Sequence, residues 1–350
     1  MNNIPLQRIY FLDYLRVFAF LSVLIGHKFY IPLSQFVMNL STPHITQQYL
    51  SNAFLSMFRG GGAGVIVFFM ISGYIILHVL QKEKSFEFLV KRIFRIYPLL
   101  IFAILIQVIL AYFAHNKSID LSTTLIQMSL MGDFFNTHYA LSGVEWTLRV
   151  EVMFYIFMFI LSFTKILQNN SYVFYFILII LTLSLKYIAP FPTGNFVGYF
   201  TTYIPFLFLG SVVYLYEKKS INIIALLIFI FIVFYRYFKA IEDFSNAWLN
   251  SNFAIVGFLI FIFLWLIRDQ LHKLPNSINK SITLLALLTY SVYLFHNFLW
   301  EYIVKFLEII GIENKTFIVI ILFSWCFIVY KLIETFMNNI GKKLSKKLLR

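Results

Sequence analysis

The sequence predicts an all-α, polytopic membrane bundle of about ten helices, with both termini in the cytoplasm. Three observations carry this. Of 350 residues, 61% are hydrophobic and 12% charged, against about 45–50% and about 25% in soluble globular chains. Apolar runs long enough to cross a hydrocarbon core of about 30 Å recur along the whole chain. Lys and Arg collect in alternate segments between those runs.

Ten runs qualify, at roughly 9–29, 63–80, 97–114, 147–164, 171–188, 200–216, 221–238, 252–267, 282–300 and 316–337. Several are short, so tilt or a thin local bilayer is expected. With the N-terminus inside, cytoplasmic segments hold 17 of the 28 Lys and Arg and outer segments eight. An odd span count would carry the basic tail outside. The longest outer stretches, roughly 30–62 and 115–146, read as loops. The first contains Pro32, Pro43 and Gly60, Gly61 and Gly62; in the second, Leu125 to Met128 is apolar enough to lie along the interface. No loop is long enough for a second domain, so residues 1–350 read as a single membrane domain.

This composition excludes intrinsic disorder, a secreted disulfide scaffold and a cytosolic enzyme. The net charge of +13 is accounted for by cytoplasmic loops and calls for no nucleic-acid partner. Cys326 stands alone in an apolar run, which leaves neither a disulfide nor a cysteine metal site. His44, His78, His115, His138 and His272 show no metal-ligand spacing, and no zinc, nucleotide or nucleophile-elbow motif occurs, so no metal is expected. Met1 to Gln7 carries no basic cluster or cleavage site, so the first run is expected to be retained.

Ionisable residues inside spans are costly and mark candidate sites. The first run holds Asp13, Arg16 and His27. Arg16 and His27 share one helix face about 16 Å apart, and Asp13, three residues before Arg16, reaches its guanidinium. The trio reads either as a structural ion pair with an interfacial histidine or as a working site. In the second run, Gly64, Ser72, Gly73 and Tyr74 favour close helix packing. Arg92 and Arg95 lie one turn apart in Lys91-Arg92-Ile-Phe-Arg95-Ile-Tyr97-Pro98. Paired guanidiniums suit a phosphate-rich ligand, and equally suit anchoring to anionic headgroups.

The fourth run opens Glu145-Trp146-Thr-Leu-Arg149-Val-Glu151 and continues to Tyr155. Arg149 and Glu151 face different sides of the helix, so each needs a partner elsewhere or a polar cavity. Trp146 and Arg149 fit an interfacial belt; Glu151, deeper in the span, does not. A buried carboxylate near a histidine raises its basicity, as a general base requires. The ninth run holds Tyr290-Ser-Val-Tyr293-Leu-Phe-His296, where His296 reads as a second working imidazole or a packing histidine.

Together these segments resemble the acyltransferase-3 family of integral membrane acyltransferases. The likeness covers nearly the whole chain and its elements occur in family order. They are Leu12-Asp13-x-x-Arg16 with ten residues to His27, then Gly64 to Tyr74, Arg92-x-x-Arg95-x-x-Pro98, Trp146-Thr-Leu-x-x-Glu151-x-x-Phe-Tyr155 and Tyr290 to His296. The resemblance implies a ten-helix bundle that takes an acyl group, usually acetyl, from cytoplasmic acyl-coenzyme A. The acceptor would be a hydroxyl of a cell-envelope or exported glycan, free or lipid-linked, or of a small molecule. It also implies a bacterial inner-membrane location, other glycan-synthesis proteins as partners, and a bare membrane domain without the extracytoplasmic hydrolase-like domain many members carry.

The same resemblance implies Arg16 and His27 as the essential first-span pair, with Arg92, Arg95 and Tyr97 near the coenzyme A moiety. His27 would remove the acceptor proton or carry the acyl group, Glu151 would orient or charge-balance His27, and Arg16 would meet the oxyanion or the donor. Arginines at the inner surface and a histidine near the outer one require the donor to reach deep into the bilayer, or a relay through bound acyl. Two other classes fit part of the pattern. One is a transporter or flippase for a lipid-linked glycan, weakened by the lack of duplicated halves. The other is a non-catalytic subunit of a glycan-synthesis complex.

Overall fold

The computed structural model describes residues 8–40, 44–116, 118–188, 191, 198–244, 251–312 and 314–348. Met1 to Gln7, Pro43 and Arg350 lie outside the described residues. Among those described, every regular element is helical. That follows from the apolar runs, because in lipid each backbone N–H and C=O must find its partner within its own segment.

The helices in chain order begin with α1 (Tyr10–Lys28), α2 (Tyr30–Leu40), α3 (Ile45–Ser56), α4 (Gly62–Leu80), α5 (Ser85–His115) and α6 (Leu121–Ser129). Next come α7 (Trp146–Phe163), α8 (Ile166–Asn169), α9 (Ser171–Ser184), α10 (Tyr199–Glu217), α11 (Ile223–Phe244) and α12 (Ser251–Leu266). The last are α13 (Arg268–Leu271), α14 (Asn276–Leu287), α15 (Thr289–Phe295), α16 (Phe298–Ile309), α17 (Lys315–Val329) and α18 (Thr335–Leu348). A π turn, Tyr330–Glu334, joins α17 to α18.

Among the described residues, seven stretches are long and apolar enough to cross a membrane: Tyr10–Lys28, Arg59–Leu80, Ser85–Ala114, Trp146–Phe163, Tyr199–Glu217, Ile223–Phe244 and Lys315–Leu348. The bent pair α14 and α15 counts as an eighth if taken as one span, and Ser171–Tyr187 and Asn252–Leu266 are shorter apolar helices. The chain is thus a polytopic helical membrane protein. Two expected features differ. The stretch 30–62 is not a loop but carries α2 and α3, since α2 has apolar Ile31, Phe36, Met38 and Leu40 exposed yet only 11 residues. The expected span 97–114 is the latter part of a 31-residue helix that begins at Ser85. Arg92 and Arg95 therefore sit inside the rod and not at its entry.

The described residues form two compact units, Met1–Ile71 with Asn252–Thr289 and Ser72–Ser251 with Tyr290–Arg350. In the first, α1 packs along α14 and against the turn before α4. Small residues allow that approach: a Cβ on Gly64 would lie 2.5 Å from the Ala19 carbonyl oxygen, and the Gly64 N–H donates to Ser22 Oγ at 3.1 Å. Phe11 packs edge-on against Phe261 of α12.

In the second unit, α5 lies along α18, with Phe94 over Gly341, and also packs on α7. The helix α10 packs on α11 and α9. Tyr175 near the start of α9 donates to the Ala225 carbonyl near the start of α11 at 2.9 Å. The lower half of α4 meets α10 closely, as Ser211 donates to the Gly73 carbonyl at 3.0 Å.

Candidate active site

In the first unit, Asp13 is buried and gathers two guanidiniums. Arg8 Nε lies 2.6 Å from one oxygen and Arg16 Nη1 3.0 Å from the other. The Thr283 hydroxyl donates to the same carboxylate at 3.2 Å. The spacing-predicted Asp13–Arg16 pair therefore forms, and Arg16 keeps 23% of its side chain exposed. Pinned by Asp13, this guanidinium still reaches the surface of its unit.

His27 ends α1 about 16 Å along the same face. Its ring is exposed, with the Gly60 backbone as a hydrogen-bond partner. A Cβ on the preceding Gly26 would stand 2.2 Å from the Phe58 carbonyl oxygen and 2.4 Å from the Gly61 nitrogen. Gly60 and Gly61 turn with φ of +56° and +72°, a conformation glycine adopts without strain. This glycine-to-backbone approach fixes the end of α1 that carries His27.

In the second unit, Glu151 accepts from Ser72 Oγ at 2.7 Å and from the Tyr155 hydroxyl at 2.5 Å, both on Oε1. Its neighbour Tyr155 also faces Arg92, whose guanidinium lies 5.8 Å from that ring and 5.2 Å from Phe88. Arg92 is buried, its Nε has no hydrogen-bond partner, and it forms no ion pair among the described residues. Arg95, one turn on, is half-buried. The Glu151 charge acts on both arginines. Lys91 instead binds Glu83 at 2.7 Å and Glu87 at 2.6 Å. The basic segment thus divides: its lysine is held by two carboxylates, while Arg92 is buried within its unit. Tyr97 is engaged elsewhere, donating to the Ser129 carbonyl at 3.3 Å.

The Arg149 and Glu151 side chains part as the helical spacing requires. Arg149, fully buried, binds Asp133 at 2.8 Å and lies 4.1 Å over the Tyr139 ring. Tyr199 donates to the other Asp133 oxygen. Trp146 packs on Tyr199 and Tyr203, while Tyr293 donates to the Val144 carbonyl at 2.7 Å and meets Thr147 at 2.7 Å. His296 is buried with Nδ1 2.8 Å from the Tyr293 carbonyl oxygen. The entry to α7 is strained, with Leu141 and Ser142 at φ of +45° and +53°. Beside it Glu145 is fully buried with no side-chain partner on either oxygen, and burial pushes its carboxyl up to about 8.

Asp133, Tyr199, Glu145 and Glu334 were not singled out by the sequence patterns. Glu334 sits in the π turn with one buried oxygen unpartnered, and its charge acts on Arg95. The signal was available for Glu334 alone, as a carboxylate within the last apolar run; Asp133 and Tyr199 become partners only through the fold. Among the described residues, no three His, Cys, Asp or Glu side chains gather to hold a metal ion.

A family model described as an acyltransferase domain matches residues 9–332. No curated protein and no solved structure matches the chain.

Proposed function

The chain belongs to the acyltransferase-3 family, and on that premise we propose that it moves an acyl group, acetyl in the first instance, from cytoplasmic acyl-coenzyme A to a glycan hydroxyl. The acceptor is a cell-envelope or exported glycan, free or lipid-linked, and the setting a bacterial inner membrane alongside other glycan-synthesis proteins. The observation that carries this reading is Arg92: a buried guanidinium with an unpartnered nitrogen, one turn from Arg95. A buried cation that no ion pair holds is costly, and Glu151, whose charge acts on Arg92, makes no ion pair with it. The donor's pyrophosphate and 3′-phosphate supply anions that would, since a guanidinium can meet their oxygens with paired N–H donors.

The chemistry then balances as follows. His27 takes the proton of the acceptor hydroxyl as its oxygen bonds to the thioester carbonyl carbon. Arg16, pinned by Asp13 about 16 Å along α1 from His27, contacts the donor away from the reacting carbonyl. The carbon–sulfur bond breaks, the ester remains on the glycan, and the imidazolium proton passes to the departing coenzyme A thiolate. Glu151, held by Ser72 and Tyr155, supplies a fixed negative charge beside Arg92 and Arg95 within its own unit.

The test is acetyl-coenzyme A binding and turnover by the purified chain in a lipid-like environment, beside His27→Ala and Arg92→Ala. Turnover abolished in H27A with binding kept, and binding weakened in R92A, supports the reading. A folded wild-type protein that binds no acyl-coenzyme A overturns it in favour of transport.

A further inference from the structure

Arg236, like Arg92, is a buried arginine that makes no ion pair among the described residues. It lies on α11, is only 6% exposed, and its Nε has no hydrogen-bond partner. No ion pair joins it to any described residue. It lines a cleft of about 560 Å³ at the C-terminal ends of α9 and α11. These helices run parallel, as the Tyr175–Ala225 bond near their starts requires.

The described lining is of two kinds. Ile180, Leu183 and Tyr235 are large, apolar or aromatic, and exposed, as side chains that meet lipid tails would be. Lys186, Arg236 and Lys239 are its cations, and Asp243 is the carboxylate among the described lining residues. Lys186 folds over the Tyr187 ring at 4.5 Å, and Lys239 binds the exposed Glu242 at 2.6 Å. Both lysines therefore mark the mouth, and only the arginine is sunk in the cleft.

We propose that this cleft binds the phosphate group of a membrane lipid. The Arg236 guanidinium meets the phosphate oxygens, Lys186 and Lys239 flank it, and the hydrocarbon chains lie along Ile180, Leu183 and Tyr235. Exposed apolar side chains directly beside the buried cation favour a lipid over a soluble phosphate, whose ligands are normally polar on all sides. The site stands apart from the acyl-transfer reading and does not depend on it.

The experiment is native mass spectrometry of the full chain released from neutral detergent, titrated with dioleoyl phosphatidic acid, dioleoylglycerol or inorganic phosphate. Wild-type protein should retain phosphatidic acid and not dioleoylglycerol. Arg236→Gln should weaken that binding about tenfold, the worth of one charge-assisted contact. Its lipid-free thermal midpoint should equal or exceed wild type, because an unpaired buried charge has been removed; a merely structural arginine would lower it. The double variant Lys186→Gln, Lys239→Gln, which leaves the buried group intact, should weaken binding about fivefold. Equal retention of dioleoylglycerol, wild-type affinity in both variants, or displacement of the lipid by an equal concentration of inorganic phosphate overturns the proposal.

Discussion

The Ser72 hydroxyl lies 2.7 Å from Glu151 Oε1 and donates to it across 79 residues of sequence. Tyr155 donates to the same oxygen from one turn further along α7. The carboxylate is therefore held by two hydroxyls, one of which faces Arg92. Ser72 has a purpose beyond the close helix packing that its glycine neighbour suggests.

Removing those hydroxyls should affect chemistry more than folding. Hydrogen bonds to a charged group contribute about 1.5–3 kcal/mol, so Ser72→Ala with Tyr155→Phe should slow acetyl transfer by about tenfold or more. The thermal midpoint in detergent separates this from unfolding. A double variant with normal turnover would show that Glu151 needs no orientation.

Arg92→Lys keeps the charge but loses the planar fork and its stacking against Phe88 and Tyr155. Acetyl-coenzyme A affinity should fall about tenfold, and 3′-dephospho-coenzyme A should lose less than the full donor. Calorimetric titration of both ligands reads this directly.

Asp133→Asn strips the fully buried Arg149 of its counter-charge. A broken buried pair costs about 3–5 kcal/mol, so the variant should melt markedly lower than wild type. Replacing both partners with apolar residues of similar volume, Asp133→Leu with Arg149→Met, should recover much of that loss. If the single variant melts normally, the pair contributes nothing.

Glu145 sets a pH dependence of known sign. Its buried carboxyl titrates at about 8, above the ordinary glutamate range. Between the two values the folded chain holds a proton that the unfolded chain has lost, so stability falls as pH rises. Melting temperatures should decline from pH 5 to about 8 and level off above it, and Glu145→Gln should flatten that decline.

Gly26→Ala places a methyl 2.2 Å from the Phe58 carbonyl oxygen, where only backbone can yield. Overpacking of this kind costs about 1–3 kcal/mol, and the displaced residue is the neighbour of His27. Transfer activity should fall further than at Gly60→Ala, where nothing lies within 4 Å and only the left-handed φ opposes the side chain. Equal activity in the two variants would free the glycine turn from any part in placing the histidine.

Much of this protein was legible along one strand of text. Apolar run length dictated helices, because lipid leaves the backbone no outside partner. The three-residue spacing of Asp13 and Arg16 produced their ion pair, and the two-residue spacing of Arg149 and Glu151 sent them to different neighbours. Only the tertiary structure decided who those neighbours are. Asp133 for Arg149, Ser72 for Glu151 and the lipid-facing cleft beside Arg236 come from segments brought together by packing. No helical period links such residues in sequence. Burial, which draws Arg92 in among Phe88, Tyr155 and the Glu151 charge, is a property of the surrounding helices and is written in none of them alone.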